Sequence, residues 1–276
     1  MNKELFTIGQ ISQICGISIT TLRYYDKVGV LKPVHIDKET KYRYYDEDTI
    51  FFVVVLRYYQ KLGFSLDKIP ELLERKDLSE LADILRDKSK FLEQKIHTMY
   101  MQQTSLLAWA ELIQESILVQ NGKNPIKLSE IKEEHLLYCH PKVYIFSQFK
   151  HFLANADLGM MTAKENQISY GPLYATFPSS EERIKNNFEG ICLYIHRHPL
   201  NPPTEKTKAI GGYQAITTYH LGSLKTIEET YKKMKEWADI HRFVLRGDAM
   251  ERYVVDNWST IHEEYFVTEI YLPLEQ

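Results

Sequence analysis

ISITTLRYYDKVGVLKPVHIDKETKYRYY, residues Ile17 to Tyr45, is the stretch on which the reading of this chain turns. Ser18 is placed to cap a helix in which Ile19, Leu22 and Tyr25 recur on one face, while Thr20, Thr21, Arg23 and Tyr24 fall outside. Gly29 closes that helix. Lys32-Pro33 opens an extended stretch, and the polar run Asp37 to Lys41 turns it back into Tyr42-Arg43-Tyr44-Tyr45. Just upstream, Thr7 and Gln10 have capping-box spacing, with Ile8, Ile11 and Ile14 on one stripe and Gly16 as a stop. Two short helices followed by a basic, aromatic hairpin predict a winged helix-turn-helix. Its outward hydroxyls and guanidinium suit bases and phosphates, and Lys32, His35, Lys38, Lys41 and Arg43 can follow a phosphate backbone. A small helical domain with a solvated basic hairpin has the same local pattern.

The flanking sequence narrows this choice. Phe6-Thr7-Ile8-Gly9, the run Leu22 to Pro33 and Tyr42-Arg43-Tyr44-Tyr45 together resemble the signature of MerR-family transcription regulators. The resemblance implies a second helix in the DNA major groove, a wing on adjacent phosphates and a homodimer on a palindromic promoter. The DNA-contacting set then comprises Ser18, Thr20, Thr21, Arg23, Tyr24, Tyr25, Lys41, Tyr42 and Arg43. Asp46 can cap a further helix to about Leu62, and Leu62-Gly63-Phe64-Ser65-Leu66 again resembles the family. Pro70 departs from the expected pattern: it removes a backbone donor, so the helix after Ser65 should be kinked or delayed.

The 276-residue chain is 44% hydrophobic, enough for two domains, and its net charge is -3. DNA affinity must therefore come from a local basic face, and Lys3, Arg23, Lys27, Lys32, Lys38, Lys41 and Arg43 outnumber the acids in the first 45 residues. No stretch reads as a signal peptide or membrane span, so the expected location is the cytoplasm. Cys15, Cys139 and Cys192 form no metal-ligand spacing; they read as small buried residues, and no metal or other cofactor is expected.

From Leu78 to Leu118 there is neither proline nor glycine, and Leu78, Leu85, Leu92, Met99, Leu106 and Ile113 recur every seven residues. Lys88, Lys95 and Gln102 interrupt the second seam, which leaves two readings: a dimer strut, or a helix buried within one domain. The family resemblance implies the strut, with Leu85, Leu92, Met99, Leu106 and Ile113 as its contacts. Asn121 to Pro125 is the clearest linker. The expected segments are therefore 1–76 for the reader, 77–120 for the dimerisation helix, 121–125 for the linker and 126–276 for a second domain.

That second domain reads as α+β with pseudo-twofold symmetry. Strand-like Ile126–Cys139, helical Val143–Ala156 and strands at Ile168–Phe177 and Gly190–Ile195 precede a similar series: Gly211–Tyr219, helix Leu224–His241, Ala249–Val255 and Tyr265–Leu272. The half from Gly211 onward, with GGYQAITTYHLGSL and TEIYLP, resembles the GyrI-like effector-binding domain. Behind a MerR reader, it makes the chain similar to the BmrR group of multidrug-binding activators. The resemblance implies an aromatic pocket containing Glu251 and Glu269, with Tyr170, Tyr265 and Phe146 beside them; the group has a tyrosine at the last position and often an aromatic where this chain has Leu224. Alternation adds Tyr253 to the face of Glu251, and Tyr271 to that of Glu269. Carboxylates among aromatic rings favour a small lipophilic cation. The same glutamates could instead face solvent or pair with Arg252, Arg246 or His262.

The resemblance further implies effector-dependent promoter distortion that serves RNA polymerase. The reading expects a regulator rather than an enzyme: some GyrI-like domains are hydrolases, and Glu251 or Glu269 could act as a general base, but no nucleophile-base-orienter set is readable and His220 stands alone. A constitutive DNA-binding repressor with a protein-interaction domain is the other alternative.

Overall fold

The computed structural model describes residues 4–139, 170–196 and 207–275. It forms two compact units, Met1–Glu93 and Gln94–Gln276, with the division inside one long helix.

In the first unit, strand β1 (Phe6–Thr7) leads into α1 (Ile8–Cys15), whose Thr7–Gln10 capping box is complete and whose stop, Gly16, has φ 60°. Helix α2 (Ile19–Lys27) is capped by Ser18 Oγ, which accepts the Thr21 N–H at 3.1 Å. The wing is β2 (His35–Ile36) against β3 (Arg43–Tyr45), and β3 also pairs with β1. Asp37 shapes its tip by accepting the Glu39 and Thr40 N–H groups. Asp46 caps α3 (Glu47–Lys61). Helix α4 (Ile69–Leu73) starts only at Ile69, with Lys68 rather than Ser65 at its N-cap position and Pro70 in its first turn, where a missing N–H costs no helical bond. This is the delayed start that Pro70 requires. Ile11, Leu22, Tyr25, Leu31, Tyr45, Val53, Leu56 and Ile69 make the core.

Helix α5 (Leu78–Asn121) runs without a break. The second unit contains β4 (Lys127–Ile131), β5 (Glu134–Cys139), β6 (Tyr170–Phe177), α6 (Ser180–Ile184), β7 (Cys192–His196), β8 (Thr207–Ile210), β9 (Tyr213–Leu221), α7 (Ile227–His241), β10 (Ala249–Val255) and β11 (Val267–Pro273). The strands form one antiparallel sheet in the order β4-β9-β11-β10-β6-β7-β5-β8. The expected strand Ile126–Cys139 is thus two strands with different partners, and α6 and β8 were not anticipated. The helix expected at Val143–Ala156 lies outside the described residues.

Ile131 of β4 and Ile210 of β8 come from opposite ends of the strand order yet join one apolar cluster, so the sheet curls until its margins meet. Gly211 permits that closure: its φ is +90°, and a Cβ there would lie 2.0 Å from the Lys132 carbonyl oxygen. One face of the sheet packs Ile216, Leu193, Ile195, Ala249, Tyr253, Ile270 and Leu272 against Ile227, Tyr231, Met234 and Ala238 of α7. The other carries Tyr138, Tyr174, Tyr194, Tyr213 and Tyr271, and the last turns of α5 lie against it through Val119, packed with Val254 and Val267.

Candidate functional sites

On the first unit, α2 and the wing present Ser18, Thr20, Arg23, Tyr24, Lys41, Tyr42 and Arg43 to solvent. Lys32, His35 and Lys38 are exposed beside them. Thr21 is half-buried, its hydroxyl 2.8 Å from that of Ser18. Arg43 Nε lies 2.9 Å from the Asp26 carboxylate, which pins the wing to α2 and fixes the spacing of the two elements. Two expectations change here. Ile19 is exposed rather than inward, and Tyr25 is buried, as its place beside Leu22 predicts, donating its hydroxyl to Gln60 Oε1 at 2.6 Å, so it is not among the exposed residues of α2 with which the resemblance groups it. Along α5, Leu85, Leu92, Met99, Leu106 and Ile113 are all exposed in the single chain.

In the second unit the two predicted glutamates part company. In the register between β10 and β11, Glu251 pairs with Ile270 and Arg252 with Glu269. Directly paired residues share a face, so Glu251 and Glu269 lie on opposite faces of the sheet and cannot line one pocket.

Glu251 is fully buried beneath the helices. Arg183 of α6, 1% exposed, donates Nε to Oε1 at 2.7 Å and Nη2 to Oε2 at 3.3 Å, while the Tyr231 and Tyr253 hydroxyls donate at 2.9 and 2.6 Å. The guanidinium carbon lies 5.1 and 5.5 Å from the ring centres of Phe177 and Phe188. Burial and the Glu251 charge push both tyrosines well above their ordinary range. Glu251 and Tyr253 therefore belong to a closed internal ion pair, not to an open pocket.

Glu269 is on the other face. Its Oε2 accepts Arg252 Nε at 2.8 Å and the Tyr271 hydroxyl. Arg252 also donates Nη1 to Glu115 Oε2 of α5 at 3.1 Å and Nη2 to Oε1, and the Tyr219 hydroxyl donates to the same Oε1 at 2.9 Å. Two carboxylates thus share one guanidinium. Burial, reinforced by these carboxylates, raises Tyr219 and Tyr271; Tyr174 is pushed up to about 12, chiefly by burial. A cavity of about 260 Å³ opens beside the triad, lined by Ala108, Glu111, Leu112, Glu115, Gly171, Pro172, His196 and Arg252. Burial holds His196 below its ordinary range, toward the neutral form, against the opposing pull of Glu134.

Of the remaining predicted pocket residues, Tyr265 is exposed on a single helical turn (Glu263–Tyr265) before β11 rather than within the strand. Phe146 and the side chain of Tyr170 lie outside the described residues. Glu115 and Arg183 escaped the sequence reading because each meets its partner across 137 or 68 positions, and nothing local marks either. His220 is held by Thr230 and by the Ser223 carbonyl, as a structural histidine would be. Among the described residues no group of three or more His, Cys, Asp or Glu side chains is disposed to hold a metal, and no helix is long and apolar enough to cross a membrane.

Residues 6–76 match the MerR HTH family of regulatory proteins, and residues 143–275 match the GyrI-like small molecule binding domain. The multidrug-efflux transporter 2 regulator of Bacillus subtilis is 23% identical over 275 residues, spanning 99% of this chain and 98% of that protein. The multidrug-efflux transporter 1 regulator of the same organism is 23% identical over 282 residues, with 98% of each chain covered. The mercuric resistance operon regulatory protein of Shigella flexneri is 31% identical over 111 residues, which make up 38% of this chain and 74% of that one. The chain belongs to the MerR family of transcription regulators, its helix-turn-helix reader followed by a GyrI-like small-molecule-binding domain.

Proposed function

We propose that this regulator is a homodimeric, ligand-responsive activator whose effector is a small lipophilic cation bound beside α5. Helix α2 and the wing read a palindromic promoter, with Arg23, Thr20 and Tyr24 toward bases and backbone and Lys41, Tyr42 and Arg43 along phosphates. The exposed stripe Leu85, Leu92, Met99, Leu106 and Ile113 packs against the same stripe of a second copy, which removes five large apolar side chains from water. Effector binding shifts the protein toward a conformation that distorts the promoter for RNA polymerase, and this requires different effector affinities in the two conformations.

The observation that carries the effector reading is the cavity bounded by Glu115 and Arg252. Arg252 is shared by two carboxylates, a third, Glu111, lines the cavity, and tyrosines occupy the same sheet face. A carboxylate excess in a partly desolvated site favours a cation over a neutral molecule of equal shape. The regulator names of the full-length relatives support a binding rather than a catalytic role. Glu269, not Glu251, is the predicted glutamate on the cavity's side of the sheet; it lies outside the lining and acts through Arg252, which it holds.

Calorimetry with benzyltrimethylammonium and its uncharged isostere neopentylbenzene tests it. Glu269→Gln should weaken the cation about tenfold or more and leave the hydrocarbon unchanged; both probes should be recovered chemically intact. Equal losses for both would mean that Glu269 only shapes the site, and turnover of a probe would move the domain to the enzyme class.

A further inference from the structure

Ala108, Glu111, Leu112 and Glu115 stand at i, i+3, i+4 and i+7, so a single stripe of α5 forms one wall of the cavity. The opposite wall comes from the sheet, through Pro172, His196 and Arg252. Helix α5 is continuous from Leu78, which lies two residues beyond the matched reader segment. Any occupant of the cavity therefore touches the element that leads out of the DNA-binding domain. Within the stripe, Glu115 is tied to the sheet: Arg252 donates to both of its oxygens and Tyr219 to one.

Arg252 has a second partner in Glu269, which already receives both Nε and Nη2. Releasing Glu115 would consequently leave no buried guanidinium without a carboxylate. Taking Glu269 away would cost far more, because it is the less exposed of the two partners of the buried Arg252, its side chain 12% exposed against 29% for Glu115.

Resting on the effector reading above, we propose that Glu115 is the residue through which cavity occupancy reaches α5. A cation in the cavity takes the place of Arg252 on the Glu115 carboxylate, Arg252 withdraws to Glu269, and the last turns of α5 lose their ionic tie to β10. In the second arrangement the ligand's cation supplies the partner that Glu115 loses, so the ligand binds that arrangement better and shifts the equilibrium by its differential affinity. A neutral occupant has no claim on Glu115 and leaves the tie intact.

The test uses the full chain, with benzyltrimethylammonium and neopentylbenzene as probes, calorimetry for affinity, and hydrogen exchange of amides 112–121 as the report on α5. In the native sequence the cation should accelerate exchange in 112–121 several-fold and the hydrocarbon should not. Glu115→Gln should weaken the cation at least tenfold, leave the hydrocarbon unchanged, and exchange rapidly before any ligand is added. Arg252→Gln should act in the opposite direction and tighten the cation, because it removes the internal competitor; it also provides an answer if Glu115→Gln does not fold. If both substitutions weaken the cation, Arg252 positions the ligand instead of competing with it and the proposal is wrong. If the native protein binds the cation but Glu115→Gln changes neither affinity nor exchange, the effector reading stands and this inference falls. If the native protein binds neither probe, both fall together.

Discussion

Arg183→Met should be among the most damaging single substitutions available in the second unit. The guanidinium it removes is 1% exposed and supplies two of the four hydrogen bonds received by the fully buried Glu251 carboxylate, the others coming from Tyr231 and Tyr253. Methionine fills similar volume and can still lie between Phe177 and Phe188, so little packing is lost. What remains is a buried carboxylate with no cation, a situation that costs about 3–5 kcal/mol. Glu251→Leu should cost a comparable amount for the mirror-image reason, an orphaned guanidinium. Combining the two removes both charges together, so most of the loss should return, and the coupling between the sites should exceed about 2 kcal/mol. Urea unfolding of the three variants and the parent, followed by tryptophan fluorescence and by circular dichroism to check two-state behaviour, gives the four free energies. Strictly additive losses, or an Arg183→Met cost below about 1 kcal/mol, would falsify the description of this pair as a sealed, mutually dependent unit.

Three further outcomes follow from particular contacts. Burial pushes Asp256 from its ordinary 3.8 up to about 6, against the pull of the Trp258 N–H; because the folded state holds the proton more tightly, stability should fall as pH rises from about 4 to about 6. That loss is about 3 kcal/mol, and it should vanish in Asp256→Asn when unfolding is measured across the window. Leu92→Lys combined with Met99→Lys places charges in the exposed stripe of α5, so sedimentation should find a monomer and DNA affinity should drop with it; an unchanged dimer would assign the strut elsewhere. Arg43→Ala removes a wing cation and the tie to Asp26, so it should weaken all duplexes by a similar factor and lower the salt dependence, whereas Arg23→Ala should relax base preference; titration of several duplexes at several salt concentrations separates the two.

The first unit was legible in the sequence because its determinants are local. The Thr7–Gln10 box, the left-handed stop at Gly16, the Ser18 and Asp46 caps and the turn at Asp37 each act within a few residues, and the structure forms all of them. Even the late start of α4 follows from the missing N–H of Pro70. The exceptions in that unit are the outward turn of Ile19 and the hydrogen bond that Tyr25, already on the inward face, makes to Gln60, 35 residues away.

In the second unit, composition and alternation foretold most strands, but not the arrangement that gives them chemistry. Alternation groups Glu251 with Tyr253 and Glu269 with Tyr271; it cannot tell which group of one strand shares a face with which group of the next. That depends on register, and pairing Glu251 with Ile270 sends the two glutamates to opposite sides of the sheet. Tertiary packing then supplied each with a different cation, Arg183 from a five-residue helix and Arg252 from the neighbouring strand, and brought Glu115 of α5 to the second. A buried charge must find a partner wherever the fold can provide one, and over such sequence separations only the folded chain determines which partner that is.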